Sequence, residues 1–238
     1  MLPTERTNPI YKMDKYNWLI YGQEGIGKST FANQFDKALF IPTEPGLDSL
    51  PVFKATEKEC IESWEEFGLI KNSIVEAVKA KTFDYDIVVI DTLDRLADLC
   101  MDYVCHRENM AHPSDQEWGK GWNLVSKEFR RVVSQLFPVV KVMFISHEKQ
   151  TPMKEKAVSF NKISPSVTGG IGKYINETVG IIGYITTDPE ETGKRVVQFR
   201  GNKYLVAKDH TDRLGELCEF DFHVIKERME GGENSKSE

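Results

Sequence analysis

Residues 22 to 30 read Gly22-Gln23-Glu24-Gly25-Ile26-Gly27-Lys28-Ser29-Thr30. This spacing of glycines, lysine and hydroxyl is suited to holding a polyphosphate. Glycines let successive backbone N–H groups turn inward around an anion, and a following helix N-terminus favours negative charge. In the pattern G-x-x-x-x-G-K-[ST], Lys28 reaches the β- and γ-phosphates and the Ser29 hydroxyl ligates Mg²⁺. A chance match at a glycine-rich turn is the competing reading, and the strand before and helix after the motif weigh against it.

A second acid, Asp91, ends the apolar run "IVVID". A carboxylate there can hold the water shell of the same Mg²⁺, although Asp and Thr are also favoured just before a helix. The next residue is Thr92 rather than a glutamate, so the group that polarises the attacking water in hydrolysis must come from elsewhere. Two candidates stand: Glu44 in "FIPTEPGLD" and Asp94 in "DTLDRL". Glu44 is the better placed, because the ends of parallel strands line one crevice, whereas Asp94 at a helix start is favoured by the dipole in any case.

The elements that must position these groups follow from the pattern of apolar residues. "YNWLIYG", "ALFIP", "DIVVID" and "VVKVMFISH" predict buried strands, and the helical character of "KSTFANQFD" between the first two predicts a βα unit and a parallel sheet. Helices are expected over 57–80, with a break near Gly68, after Asp91, and from Trp122 to Leu136, stopped by Pro138. "TVGIIGYITTD" and "KRVVQFRG" read as an antiparallel hairpin at the sheet edge around "DPEETG". The expected organisation is an N-terminal arm at 1–15, an α/β nucleotide-binding domain at 16–225 and a disordered tail at 226–238. Residues 148–173 read as a long loop.

With 238 residues, 40% hydrophobic and 29% charged, the chain has the composition of a soluble globular domain. It carries no apolar run of the roughly 20 residues that span a membrane and no apolar signal core, which predicts a cytoplasmic protein. Cys60, Cys100, Cys105 and Cys218 form no CxxC pair and read as reduced thiols. A net charge of −6 argues against a polycationic nucleic-acid binder, but residues 149–173 hold five lysines against Glu155, a local +4. Lys149, Lys154, Lys156, Lys162 and Lys173 with Phe160 could contact the phosphates and bases of single-stranded DNA, the competing reading being a solvated loop. Trp118 and Trp122, four apart, are expected on one helix face. His147 has a plain reading as a strand-end histidine with a local hydrogen bond.

"YGQEGIGKST", "FIPTEPGLDSL", "YDIVVIDTLDRL" and "FISHEKQ", in this order, resemble the RecA-type P-loop ATPase core, and more closely the shortened RecA-like ATPases of phages that act as single-strand annealing recombinases. The resemblance covers about residues 16–215. It implies a RecA-like fold with a mainly parallel twisted sheet flanked by helices, ATP and Mg²⁺ as cofactors, and DNA-dependent ATP hydrolysis. Glu44 falls at the position of the catalytic glutamate, and His147 at that of the γ-phosphate sensor, where RecA itself has a glutamine. DNA-binding loops transfer to about 106–121 and 148–172. Lys208 resembles a basic residue that completes the ATP site of a neighbouring subunit, while His210 stands where RecA has a second lysine. Implied partners are single-stranded DNA, further copies of the chain in a ring or filament, and a single-strand binding or other replication protein, in the host cytoplasm if the chain is phage-encoded. A helicase loader acting on a protein partner is the alternative; a small-molecule phosphotransferase is disfavoured because "DHTDRLGE" has one arginine where such kinases carry an arginine-rich lid.

Overall fold

The computed structural model describes residues 6–155, 158–188, 190–191 and 193–231. In chain order the elements are β1 (Trp18–Gly22), α1 (Lys28–Ala32), β2 (Ala38–Pro42), β3 (Phe53–Lys54), α2 (Trp64–Lys79), β4 (Ile87–Asp91), α3 (Leu93–Arg107) and α4 (Lys120–Val133). They continue with β5 (Val142–Glu155), β6 (Val158–Pro165), α5 (Gly169–Thr178), β7 (Ile181–Thr187), β8 (Arg195–Gln198), β9 (Lys208–Asp209), β10 (Leu217–Glu219) and α6 (Phe222–Glu230).

The main sheet runs β10-β8-β7-β1-β5-β4-β2-β3, with β6 paired to β5 and β9 to β7. From β7 to β3 every neighbouring pair is parallel, and β8 and β10 add an antiparallel edge. β1, β2 and β4 are buried along their whole length, as expected of strands covered on both faces. Alternation sends Leu19 and Tyr21 into a core under α2 to α5, and Trp18 and Ile20 into a second core with Phe31 of α1 and Phe222 of α6. The expected α/β fold with parallel strands and an antiparallel edge is therefore present.

Several local expectations are corrected. Residues 148–165 are not a loop. β5 runs eight residues past His147 to Glu155 and pairs antiparallel with β6, and Lys173 lies on α5 instead. No period was legible because both faces of this hairpin are largely solvated, so no face demands apolar residues. α2 passes through Gly68 without interruption; its Ser63 cap, bonded to the Glu66 N–H, and its buried stripe of Trp64, Phe67, Lys71 and Ile74 outweigh the roughly 1 kcal/mol penalty of one glycine. Trp118 does not share a helix face with Trp122. It sits in a one-turn 3-10 segment with a left-handed backbone, 90% exposed, whereas Trp122 belongs to α4 and meets His112 edge-on.

At the termini, Met13 is buried and its N–H donates to Glu230 on α6, so the end of the arm packs on the domain. Residues 226–230, expected in the tail, complete α6, whose Ile225 and Met229 are buried. Residues 232–238 lie outside the described residues, as does Lys156. No helix among the described residues is long and apolar enough to cross a membrane.

Candidate active site

Strand register brings the sequence motifs together. Gly22 is paired with His147 across β1 and β5, Asp91 with Ile145 across β4 and β5, and Pro42 with Asp91 across β2 and β4. The phosphate loop, Glu44, Asp91 and His147 thus lie together at the C-terminal edge of the parallel strands. Ligand crevices form there in parallel α/β sheets because the connecting loops diverge. A cavity of about 260 Å³ is lined by Glu24, Gly25, Lys28, Ser29, Glu44, Asp91, Thr92 and His147, among others.

The loop from Gln23 to Gly27 has the backbone of a phosphate cradle. Gly25 and Gly27 have φ of 73° and 98°, a region that side chains strain to enter. At Gly27 a β-carbon would also lie 2.3 Å from the Arg195 guanidinium. Lys28 opens α1, a five-residue helix after which the backbone passes to i→i−3 bonds from Gln34 and Phe35 to the Phe31 and Ala32 carbonyls. The Lys28 ammonium is buried and donates to the carbonyls of Gly22 and Gln23 at 3.0 and 2.7 Å, and burial pushes its pKa down. Among the described residues the hydrogen bonds of this buried cation go to carbonyls of its own loop, with Asp91 and Asp94 acting on it through space, and a polyphosphate would supply an anion in direct contact.

The Ser29 hydroxyl donates to Asp91 Oδ2 at 2.6 Å. Asp91 is 8% exposed, and burial pushes its carboxyl up against the opposing hydrogen bond from Ser29. One hydroxyl and one carboxylate, side by side at the mouth of a phosphate cradle, are the donor set that Mg²⁺ uses when substrate phosphates and water fill its other positions. The residues therefore fit an Mg²⁺-nucleotide.

Glu44 is held from two sides. Its Oε1 accepts a hydrogen bond from the Thr92 hydroxyl at 2.6 Å, and its Oε2 lies 3.5 Å from His147 Nε2. Thr92 is itself fixed: the Thr43 hydroxyl accepts from the Thr92 N–H at 2.7 Å and donates to the Thr92 carbonyl at 2.8 Å. Thr92 Oγ1 also caps α3 by accepting from the Arg95 N–H. The position that lacks an acid thus orients the acid supplied by the neighbouring strand, a role for which Thr92 and Thr43 carried no signal beyond helix capping.

Asp94, the other candidate acid, faces elsewhere. Its Oδ2 accepts the His147 N–H at 3.2 Å, and it lines a separate cavity of about 520 Å³ between α3, α4 and the start of α5. Burial pushes its carboxyl up, and among the described residues its Oδ1 has no hydrogen-bond partner.

Thr30, on α1, lines the same cavity as Lys28 and Ser29. Lys208, on β9 beside Ile182, donates to the Asn176 carbonyl at 2.7 Å and sits away from its own phosphate loop. Arg195, at the start of β8, donates to the Ile26 carbonyl at 3.1 Å, a contact 169 residues apart that only the edge hairpin reveals. Lys149, Lys154, Phe160 and Lys162 lie on the β5–β6 hairpin, while Lys173 stands 3.9 Å from Glu177 along α5.

Comparison with known proteins places this geometry. The AAA domain family matches residues 14–211. A curated relative, the SPbeta prophage-derived uncharacterized protein YorG of Bacillus subtilis (strain 168), is 23% identical over 182 residues. That match covers 75% of this chain and 53% of the relative, so the chain spans about half the relative's length. Among solved structures, the RadB recombinase aligns over 89% of each chain with 15% identity and a TM-score of 0.46. The flagellar accessory protein FlaH from Methanocaldococcus jannaschii aligns over 77% of each chain, with 11% identity and a TM-score of 0.35. The family match spans the phosphate loop and most of the parallel sheet: the chain belongs to the AAA domain family.

Proposed function

We propose that the chain is an Mg²⁺-dependent ATPase that binds single-stranded DNA and promotes annealing or strand pairing as an oligomer, in a phage context like that named for its prophage-derived relative. The observation that carries this reading is the continuity of β5: the strand that delivers His147 to Glu44 continues without a break into the basic hairpin bearing Lys149, Lys154 and Lys162. A polynucleotide on the hairpin and a γ-phosphate at His147 would touch one rigid element.

In this reading the loop N–H groups and Lys28 bind the triphosphate. Ser29 and Asp91 would hold Mg²⁺, which would supply charge neutralisation to the phosphates. Glu44, oriented by Thr92, accepts the proton of the attacking water, and His147 Nε2 reports on the γ-phosphate from the far side of that carboxylate. Lys208 acts on the site of a neighbouring copy, consistent with its distance from its own loop.

The test is ATP turnover with and without single-stranded DNA, over a range of salt. Turnover that rises with single strands, together with salt-sensitive DNA retention, is expected. Unchanged turnover with no retention would remove the DNA part of the reading. Recruitment of a replicative helicase without annealing would replace it with a loader.

A further inference from the structure

Beside the hairpin, a segment distant in sequence completes a basic and aromatic surface. β6 pairs with residues 204–206: the Ile163 N–H donates to the Tyr204 carbonyl at 2.7 Å and the Val206 N–H to the Ile163 carbonyl at 3.1 Å. Ile163 and Leu205 are parallel bridge partners, which turns Leu205 into the core and leaves Tyr204 outward, 43% exposed. The Tyr204 ring meets Phe160 edge-on at 4.9 Å between centroids. The Lys203 ammonium stands 4.9 Å from the Tyr204 centroid and 5.5 Å from that of Phe160.

Hairpin register tells which lysines share this face. Phe160 is opposite Met153, Lys162 opposite Thr151, and Lys149 opposite Ser164. Cross-strand partners point the same way, so Lys149, Met153, Phe160 and Lys162 lie on one face, while Lys154 lies on the other. Lys203 lies 3.7 Å from Glu155, an exposed pair of the kind that contributes little and is screened by salt.

The geometry points to a single-stranded DNA platform built from Tyr204 and Lys203 together with the Phe160 face of the hairpin, a proposal that rests on the DNA-binding reading above. An exposed ring gives a base something to stack on, and lysines around it meet the phosphates on either side. Edge-on rings suit this use, since a T-shaped pair leaves ring face open that a stacked pair would bury.

The platform is also mounted on the catalytic end of the sheet. The Tyr21 hydroxyl, one residue before the phosphate loop, donates to the Val206 carbonyl at 2.6 Å. Backbone bonds then run from Val206 to Ile163 and from Ile163 to Tyr204. A strand held by Tyr204 is therefore three hydrogen bonds from β1.

The experiment is fluorescence anisotropy of the full chain with a labelled oligothymidylate, over a series of salt concentrations, for the native protein and the Tyr204→Ala, Tyr204→Phe and Lys203→Gln variants. Binding of a fluorescent ATP analogue and thermal unfolding are measured alongside. Tyr204→Ala is expected to weaken DNA binding about tenfold, the scale of one lost base stack, with Tyr204→Phe close to native. Lys203→Gln should lower the slope of log affinity against log salt by about 0.7. Nucleotide binding should stay unchanged. Native binding with neither Tyr204→Ala nor Lys203→Gln different would overturn the platform and leave the hairpin reading standing. No binding by the native protein would overturn both. If Tyr204→Ala does not fold, the exposed Lys203→Gln carries the decision by its salt slope.

Discussion

The two ends of β5 are built on opposite physical terms. From Val142 to Ser146 the strand is buried between β1 and β4, and the groups of the site near its end are held by named partners: Asp91 by Ser29, Glu44 by Thr92, the His147 N–H by Asp94. From Lys149 to Glu155 it is paired only with β6, and most of its side chains face water. Where burial makes an unpaired group costly, position is specified by the partner each group must find. Where water can satisfy every group, position is left to the backbone ladder. Catalysis needs the first condition, and sequence-independent contact with a polymer tolerates the second.

The largest effect should come from the buried end. Glu44→Gln keeps the Thr92 contact and removes the proton acceptor, so turnover should fall on the order of 10²- to 10⁴-fold while nucleotide affinity stays within a few-fold. Single-turnover hydrolysis and equilibrium binding measure the two. Retained turnover would break the assignment and turn attention to Asp94. Thr92→Val should act in the same direction but less, about tenfold in kcat, the scale of one lost hydrogen bond to a charged group. Thr92→Ser should restore most of it, which a general packing defect would not.

How much of this was legible follows the same division. The phosphate loop, Asp91 and Glu44 stand at the ends of continuous apolar runs, and such runs are conspicuous because burial on both faces forces them. Thr92 and Thr43 were not legible as a clamp, since a threonine before a helix is already accounted for by capping. Arg195 and Tyr204 depend on contacts between residues far apart in the chain, at sheet pairings that no local pattern encodes. The hairpin reads as a loop in the sequence because a two-sided solvated strand has no period to show, and its lysines stand out by charge alone. Gly68 misled in the other direction, as one weak helix former within a strongly packed helix.

A pH titration sharpens the contrast further. Burial raises the Asp91 carboxyl, so the native state takes up its proton before the unfolded chain does. As pH falls through that raised value, the unliganded protein gains stability from this group relative to higher pH, because a buried charge is removed. Mg²⁺-nucleotide binding should move the opposite way, since the metal needs the carboxylate. Asp91→Asn should abolish both components, with the native-minus-variant difference isolating Asp91 from Asp94, which shifts in the same direction for the same reason. Unfolding temperature and Mg²⁺-dependent nucleotide affinity, each against pH, would show it; parallel rather than opposed trends would place Asp91 outside the metal site.

The smallest effects belong to the exposed end, and their direction is informative. Lys154→Gln and Lys162→Gln should each change stability by no more than about 0.5 kcal/mol, as for other surface changes. Their effects on DNA binding should nevertheless differ. Lys162 shares a face with Phe160, whereas Lys154, paired with Ser159, points to the other side. On a solvated, undirected loop the two lysines would be equivalent, each lowering the salt slope by a similar amount. On a hairpin whose ladder fixes the faces, Lys162→Gln should lower it by about 0.7 and Lys154→Gln by much less. Equal slopes would mean that the ladder does not direct the contact, and the contrast between the two ends of β5 would then be one of charge alone.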